Sequence, residues 1–247
     1  MSILKSWIGN DVVDLADTSL SGKLENPRFM KRVFTTSEQE SIAAAKESFK
    51  EMWYIWACKE AAYKAFSKTR SSPPTFVHAD FEVSLMSETN KQGPLVRGGS
   101  VVCHGLPIRA SVSLSENALH ACAWTGALSL PPNSFIPTGL YFDLARLDEP
   151  GAPWSASYPE LLRSLTPKEQ AGVRSRESAA VRIGLKTSIA EMMSELQEDL
   201  QVVRPPRGTL SRGYPVLLLN GKRSCLDISF SHHGSWISWA FLVRKEY

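Results

Sequence analysis

The 247-residue sequence contains no apolar run that approaches the roughly 20 residues needed to span a bilayer, and its first residues offer no apolar leader segment. Cysteine is scarce. Cys58, Cys103, Cys122 and Cys225 show no C-x-x-C spacing. That argues against structural zinc and a disulfide framework, and predicts reduced, packed thiols in a soluble cytoplasmic protein. Neither sign of charge is in excess: 28 Lys and Arg against 25 Asp and Glu leave +3. This is too little for a dedicated nucleic-acid binder, although a locally basic face can still attract an acidic partner. Also missing are G-x-x-x-x-G-K-[ST], G-x-S-x-G and H-E-x-x-H, the signatures of P-loop nucleotide hydrolases, serine α/β-hydrolases and zinc proteases.

What the chain does have is 43 % hydrophobic content, enough for one large core or two small ones. Ile8 to Leu15 is short and Val-rich, as a strand is, and Asn26 to Val33 predicts a short helix or turn carrying Arg28, Lys31 and Arg32. Thr35-Thr36-Ser37-Glu38 is a capping box that starts a helix; a second helix, about Glu51 to Lys68, is stopped by Ser71-Ser72-Pro73-Pro74. Phe81 to Leu85 and Ile108 to Leu114 alternate with period two and Ala118 to Trp124 follows, which predicts antiparallel strands. Ser129 to Pro137, with three prolines in nine residues, reads as a linker.

Beyond the linker the order repeats. Gly139 to Leu144 resembles the first strand, and Leu165-Thr166-Pro167-Lys168-Glu169-Gln170 repeats the capping box of Phe34 to Gln39. A helical region follows from Glu177 to Leu200, and Gly213-Tyr214-Pro215 opens strands ending in Ile228 to Trp236, which parallels Val112 to Ala118. The expected fold is α+β, a pseudo-dimer of two similar lobes, each a small antiparallel sheet packed on helices. Its halves are 1–128 and 138–247, with 129–137 between them. They degenerate in complementary ways. The first keeps Asp11, Glu60 and Lys64 but has Glu116-Asn117 where the second has His232-His233, and the second lacks K-E-A-x-x-K. A single working cleft between the lobes is expected.

Glu60 and Lys64, four apart, share one helix face. That spacing commonly gives an exposed ion pair. Here Trp53, Trp56, Ala57 and Ala61 make the helix so apolar that the pair is expected at the edge of a packed interface, where a carboxylate needs a partner or a metal. Asp11 and Asp14 fall on opposite faces of their strand, so one points differently from the other. Mg2+ takes one or two protein carboxylates plus waters and phosphates, so Asp11 with Glu60 would suffice. Ser231-His232 at a strand end beside Gly234 is either packed or solvated structure, or a phosphate cradle with hydroxyl, imidazole and backbone N–H as donors. Arg174, Arg176, Arg182 and Lys186 add positive charge nearby in sequence, or form a solvated helix face.

Three segments in order resemble the 4'-phosphopantetheinyl transferase superfamily, in its holo-acyl-carrier-protein synthase-like form. They are Gly9-Asn10-Asp11-Val12-Val13-Asp14-Leu15, Phe34-Thr35-Thr36-Ser37-Glu38, and Trp56-Ala57-Cys58-Lys59-Glu60-Ala61-Ala62-Tyr63-Lys64. The resemblance implies an enzyme that moves the phosphopantetheine arm of coenzyme A to a serine of an acyl or peptidyl carrier protein, in fatty-acid, polyketide or peptide synthesis, and releases 3',5'-ADP. It implies Asp11 and Glu60 as Mg2+ ligands, Glu60 as a candidate base acting directly or through water, and Lys64 at the phosphates and leaving group. Arg28, Lys31 and Arg32 would face the acidic carrier. Ser231 and His232 would hold the 3'-phosphate, helped by Arg174, Arg176 or Arg182.

The chain also departs from the family pattern. Val13 stands where some two-lobed members have a third acidic ligand, so water or Asp14 completes the shell. Tyr214 stands where lysine is common, which leaves that charge to Arg212, and Ser67-Lys68-Thr69-Arg70 lacks the usual glycines. In two-lobed relatives the coenzyme-binding half comes first, and here it comes second. A monomer containing an internal pseudo-dimer is expected, with no nucleic-acid or membrane partner. The alternatives are a non-catalytic coenzyme A- or nucleotide-binding module, against which retention of Asp11 and Glu60 counts, and a carrier-binding module.

Overall fold

The first lobe is a five-stranded antiparallel sheet in the order β1-β5-β4-β3-β2, made of β1 (Ile8–Asp14), β2 (Phe81–Leu85), β3 (Leu95–Cys103), β4 (Leu106–Ser115) and β5 (Ala118–Trp124). The computed structural model describes residues 6–86, 95–131, 134–207 and 211–243. Three helices run between β1 and β2: α1 (Pro27–Val33), α2 (Thr36–Ala44) and α3 (Ser48–Lys68). Local chemistry sets their starts. The Asn26 side chain accepts from the Phe29 amide with Pro27 in the first turn, and Thr35 with Glu38 closes the expected capping box. Helix α3 buries Met52, Ile55, Ala57, Cys58 and Ala61 against the sheet. A Cβ on Gly9 would overlap the Ala61 carbonyl, so glycine alone lets β1 lie this close to the helix.

The second lobe repeats the plan with less sheet. Strands β6 (Leu140–Arg146), β12 (Asp227–His233) and β13 (Trp236–Leu242) form one antiparallel sheet in the order β12-β13-β6. Strands β7 (Leu200–Val203), β10 (Val216–Leu219) and β11 (Lys222–Arg223) form another, and β8 (Pro206–Arg207) with β9 (Ser211–Arg212) a short ribbon. The helices are α4 (Tyr158–Arg163), α5 (Pro167–Gln170) and α6 (Arg176–Met193). The architecture is α+β.

One buried device occurs in both lobes. Glu38 caps α2, accepts from the Val83 amide at 2.7 Å and pairs with Lys59 at 2.7 Å. Glu169 caps α5, accepts from the Val202 amide at 2.8 Å and pairs with Lys186 at 3.4 Å. Each capping carboxylate thus locks a helix start to a strand and to the long helix of its lobe. Lys186 is therefore a core residue and adds no charge to a cleft.

Four expectations need correction. The helical region Glu177 to Leu200 is shorter: Ser194 adopts a left-handed conformation, φ 55°, that ends α6, and Leu200 begins β7. Strand β3, which contains Gly98 and Gly99, was not anticipated. Nor was β13, which is buried on both faces and shows no alternation. The internal comparison slips by two residues. Ser115 pairs with Ala118 and His233 with Trp236, so Glu116-Asn117 corresponds to the tip Gly234-Ser235 and not to His232-His233. Both tips open on a positive φ, 51° at Glu116 and 55° at Gly234. Finally, Cys225 is exposed, whereas the other three thiols are buried, and burial pushes the Cys58 thiol up to about 12.

The segment read as a linker is packed down. Leu128, Leu130 and Ile136 lie against a cluster of Ile8, Trp124, Leu140 and Leu242 drawn from both lobes. His120 is buried nearby, its Nε2 3.4 Å from Asn10 Nδ2. Burial, then the Lys64 charge, pushes its pKa from 6.5 down to about 3. Between those values the unfolded state binds the proton and the folded state does not. Stability should therefore fall as pH drops from 6.5 toward 3, by up to about 1.4 kcal/mol per pH unit from this group. Urea unfolding at several pH values checks this, and His120→Gln should flatten that part of the profile.

Candidate active site between the lobes

Strand β12 places a polar residue at every second position, and these residues meet the free edge of β1. Asp227 Oδ2 accepts from the Ile8 amide at 2.7 Å, Ser229 Oγ from the Asn10 amide at 3.0 Å, and His233 Nδ1 from the Asp14 amide at 3.0 Å. Side chains of the second lobe thus cover an edge that would otherwise be open for pairing. Ser231 differs from the other three. Its hydroxyl donates to Asp11 Oδ1 at 2.7 Å.

The same oxygen receives Lys64. Nζ donates to Asp11 Oδ1 and to the Asn10 carbonyl, each at 2.8 Å. One carboxylate oxygen therefore collects an ammonium from the first lobe and a hydroxyl from the second, and both hydrogen bonds leave Oδ2 without a partner among the described residues. Asp14 is used locally. Its oxygens accept from the Ala16 and Ser235 amides at 3.0 and 2.9 Å and hold the hairpin tip against β1.

Beside Asp11 opens a cavity of about 500 Å3 lined by Lys64, Arg174, Ser175, Ser178, Arg182, Arg204, Phe230, Ser231 and His232. Its walls are cationic. The Arg182 and Arg204 guanidiniums lie over the Phe230 ring at 4.9 and 5.2 Å. Ser175 caps α6 by accepting from the Ser178 amide at 3.2 Å, so the positive end of an 18-residue helix dipole faces the same space. Partial burial holds His232 below its ordinary pKa, opposed by Glu177 and assisted by the Lys64 and Arg182 charges. In its neutral form the imidazole has one ring N–H to donate.

Glu60 lies one turn before Lys64 on α3, and its Oε1 is 3.3 Å from His78 Nε2. The three sequence motifs thus supply a β1 carboxylate, a capping glutamate that fixes α3, and a carboxylate and ammonium on α3.

Residues 8–123 match the sequence profile of the 4'-phosphopantetheinyl transferase superfamily. The resemblance read from the motifs therefore stands, carried by the first lobe. Among solved structures the chain is similar to a holo-[acyl-carrier-protein] synthase from Neisseria meningitidis, at 17 % identity and a TM-score of 0.34, over 49 % of this chain and 98 % of that one. No curated protein sequence matches the chain significantly.

Of the residues expected at a superfamily site, the structure brings Asp11, Lys64, Ser231, His232, Arg174 and Arg182 to one cleft. Arg176 is not among them. It donates to the carbonyls of Leu147, Ser155 and Ala156 at 3.2, 2.7 and 3.2 Å and fastens the chain after β6 to α6. Arg182 lines the cavity but is 1 % exposed and also donates to the Ser178 and Gly172 carbonyls, so it shapes the wall as well as charging it. The Arg212 side chain lies outside the described residues. Arg28, Lys31 and Arg32 are exposed on α1. Sequence reasoning missed Arg204. Its only signal was a cation placed before Pro205-Pro206 at the end of β7.

Among the described residues, no group of three or more His, Cys, Asp and Glu converges as a ready-made metal cage. Of the two carboxylates expected to hold a metal, Asp11 on β1 sits at the cavity edge through Lys64 and Ser231, whereas Glu60 on the neighbouring α3 is paired with His78 and is not among the cavity-lining residues. Two carboxylates are a sufficient protein contribution for an ion such as Mg2+ that takes its other ligands from phosphate and water. No described helix is long and apolar enough to cross a membrane.

Proposed function

We propose that the chain transfers 4'-phosphopantetheine from coenzyme A to a serine hydroxyl of an acyl or peptidyl carrier protein, in a Mg2+-dependent reaction that releases 3',5'-ADP. In this reading residues 1–128 supply the metal and catalytic side, residues 138–247 the coenzyme side, and 129–137 join them in a cytoplasmic monomer. One observation carries it: Lys64 and Ser231 converge from opposite lobes on Asp11, at the edge of a cationic cavity.

Asp11 and Glu60 would hold the metal, which when bound neutralises pyrophosphate charge and orients it for in-line attack. The carrier serine oxygen bonds to the phosphorus that bears pantetheine while the bond to the bridging oxygen breaks. The electron pair leaves with 3',5'-ADP, and the serine proton passes to Glu60 directly or through water. Lys64 neutralises charge growing on the leaving phosphate. Ser231, His232, Arg174, Arg182 and Arg204 take the 3'-phosphate, where bidentate guanidinium contacts serve best. The exposed Arg28, Lys31 and Arg32 offer an acidic carrier a basic face.

Calorimetry tests the coenzyme side. Coenzyme A should bind more tightly with Mg2+ than without, and removal of its 3'-phosphate should weaken binding by about tenfold or more, the loss of one to two charge-assisted hydrogen bonds. Binding indifferent to Mg2+ would favour a non-catalytic coenzyme-binding module. No binding at all would favour a carrier-binding module.

A further inference from the structure

Glu60 is held by neither Asp11 nor the second lobe. Its partner is His78, which belongs to none of the three motifs and opens the short 3-10 turn His78–Asp80 ahead of β2. A carboxylate only accepts, so Nε2 carries the proton that bridges the 3.3 Å to Glu60 Oε1.

His78 is itself fixed on three sides. Its ring packs between Trp56 and Phe76, with centroids at 4.6 and 4.1 Å. Its carbonyl accepts from Lys59 Nζ at 3.0 Å. Lys59 is fully buried, donates also to the Phe81 carbonyl at 2.6 Å, and is ion-paired with Glu38. The imidazole is thus clamped by the same buried device that sets the start of α2. A glutamate on an open helix face samples several rotamers, and ordering it costs side-chain entropy. The His78 and Glu60 side chains are 21 % and 23 % exposed, so water competes only in part for this bond.

We propose that His78 is a positioning residue: it holds Glu60 Oε1 and thereby presents Oε2 to the metal and to the serine proton. This rests on the reading of Glu60 as metal ligand and base. Ligating carboxylates held by a further hydrogen bond lose about 10- to 100-fold in metal affinity or activity when that bond is removed.

The test uses the full chain with coenzyme A and an apo carrier. His78→Phe keeps both ring contacts and deletes the N–H; His78→Gln restores a donor. His78→Phe should lower kcat about 10- to 100-fold with KM for coenzyme A unchanged, and His78→Gln should recover most of it. Mn2+ binding to the coenzyme complex, followed by electron paramagnetic resonance, should weaken in His78→Phe. It should weaken no further when His78→Phe is added to Glu60→Gln. Unchanged kcat and Mn2+ affinity in His78→Phe, or an undiminished loss in the Glu60→Gln background, would overturn the proposal. If the wild-type chain is active and Glu60→Gln is not, such a result removes only the positioning role. If Glu60→Gln is as active as wild type, the reading of Glu60 fails first.

Discussion

Asp11→Ala is expected to reduce transfer from coenzyme A by roughly 100- to 1,000-fold, the range for deleting one preorganised charged group at a reacting centre. Asp11 is only 8 % exposed and holds the donors of both lobes on a single oxygen. Its loss removes a proposed metal ligand and leaves the Ser231 hydroxyl without its acceptor. Lys64 is then held by the Asn10 carbonyl alone, free to swing from the phosphates. Asp11→Asn separates charge from shape, since the amide can still accept from Lys64 and Ser231. It should fold like the wild type and still lose most of the rate. Steady-state transfer rates beside melting temperatures decide this; a rate within tenfold of wild type for Asp11→Ala would remove Asp11 from the chemistry.

The largest effect on stability is expected at Lys68. Lys68 and Asp227 are each 4 % exposed, and they join the end of α3 to the start of β12. Lys68 Nζ donates to the carbonyls of Ile8 and Ile228, each at 2.7 Å, and to both Asp227 oxygens at 3.1 and 3.2 Å. Removing one member strands a buried charge, which typically costs about 3–5 kcal/mol. Lys68→Met should show that loss in urea unfolding. It should also weaken coenzyme A binding, because this pair and the Asp11 contacts lie along the same edge of β1. The double variant Lys68→Met/Asp227→Leu should be less destabilised than the sum of the singles, since no unpaired charge remains. Additive losses would mean that the two residues act separately.

Local rules made much of this molecule legible. Both capping boxes, the stop of α3 and the alternation of β2 and β4 depend on near neighbours, and they gave the α+β class and the two-lobed plan. Asp11 and Lys64 were recognisable from the i,i+4 spacing of Glu60 and Lys64 on an apolar helix and from the motif resemblance; the close approach of β1 to α3, Gly9 against Ala61, is what lets them meet. What escaped depends on distant pairing. The alternating Asp227, Ser229, Ser231 and His233 looked like a strand ending in a phosphate cradle; its second use, covering the β1 edge, joins residues more than 200 positions apart. Strand β13 hid because burial on both faces erases alternation. Arg176 looked equivalent to Arg174 and Arg182 until the carbonyls it binds were located. Arg204 and His78 had no motif, since one is set by a proline break and the other by an aromatic clamp.

The central claim is one transferase site built jointly by two unlike lobes. Its most direct measurement is the mass of an apo carrier protein after incubation with the chain, coenzyme A and Mg2+, repeated with Asp11→Ala from the first lobe and a Ser231→Ala/His232→Ala variant from the second. The account predicts a gain of one phosphopantetheine on the carrier serine with the wild type, and its loss or strong slowing when either side of the cleft is altered. A carrier that stays unmodified by the wild type, across fatty-acid, polyketide and peptide carriers, would contradict it, as would full modification by both altered proteins.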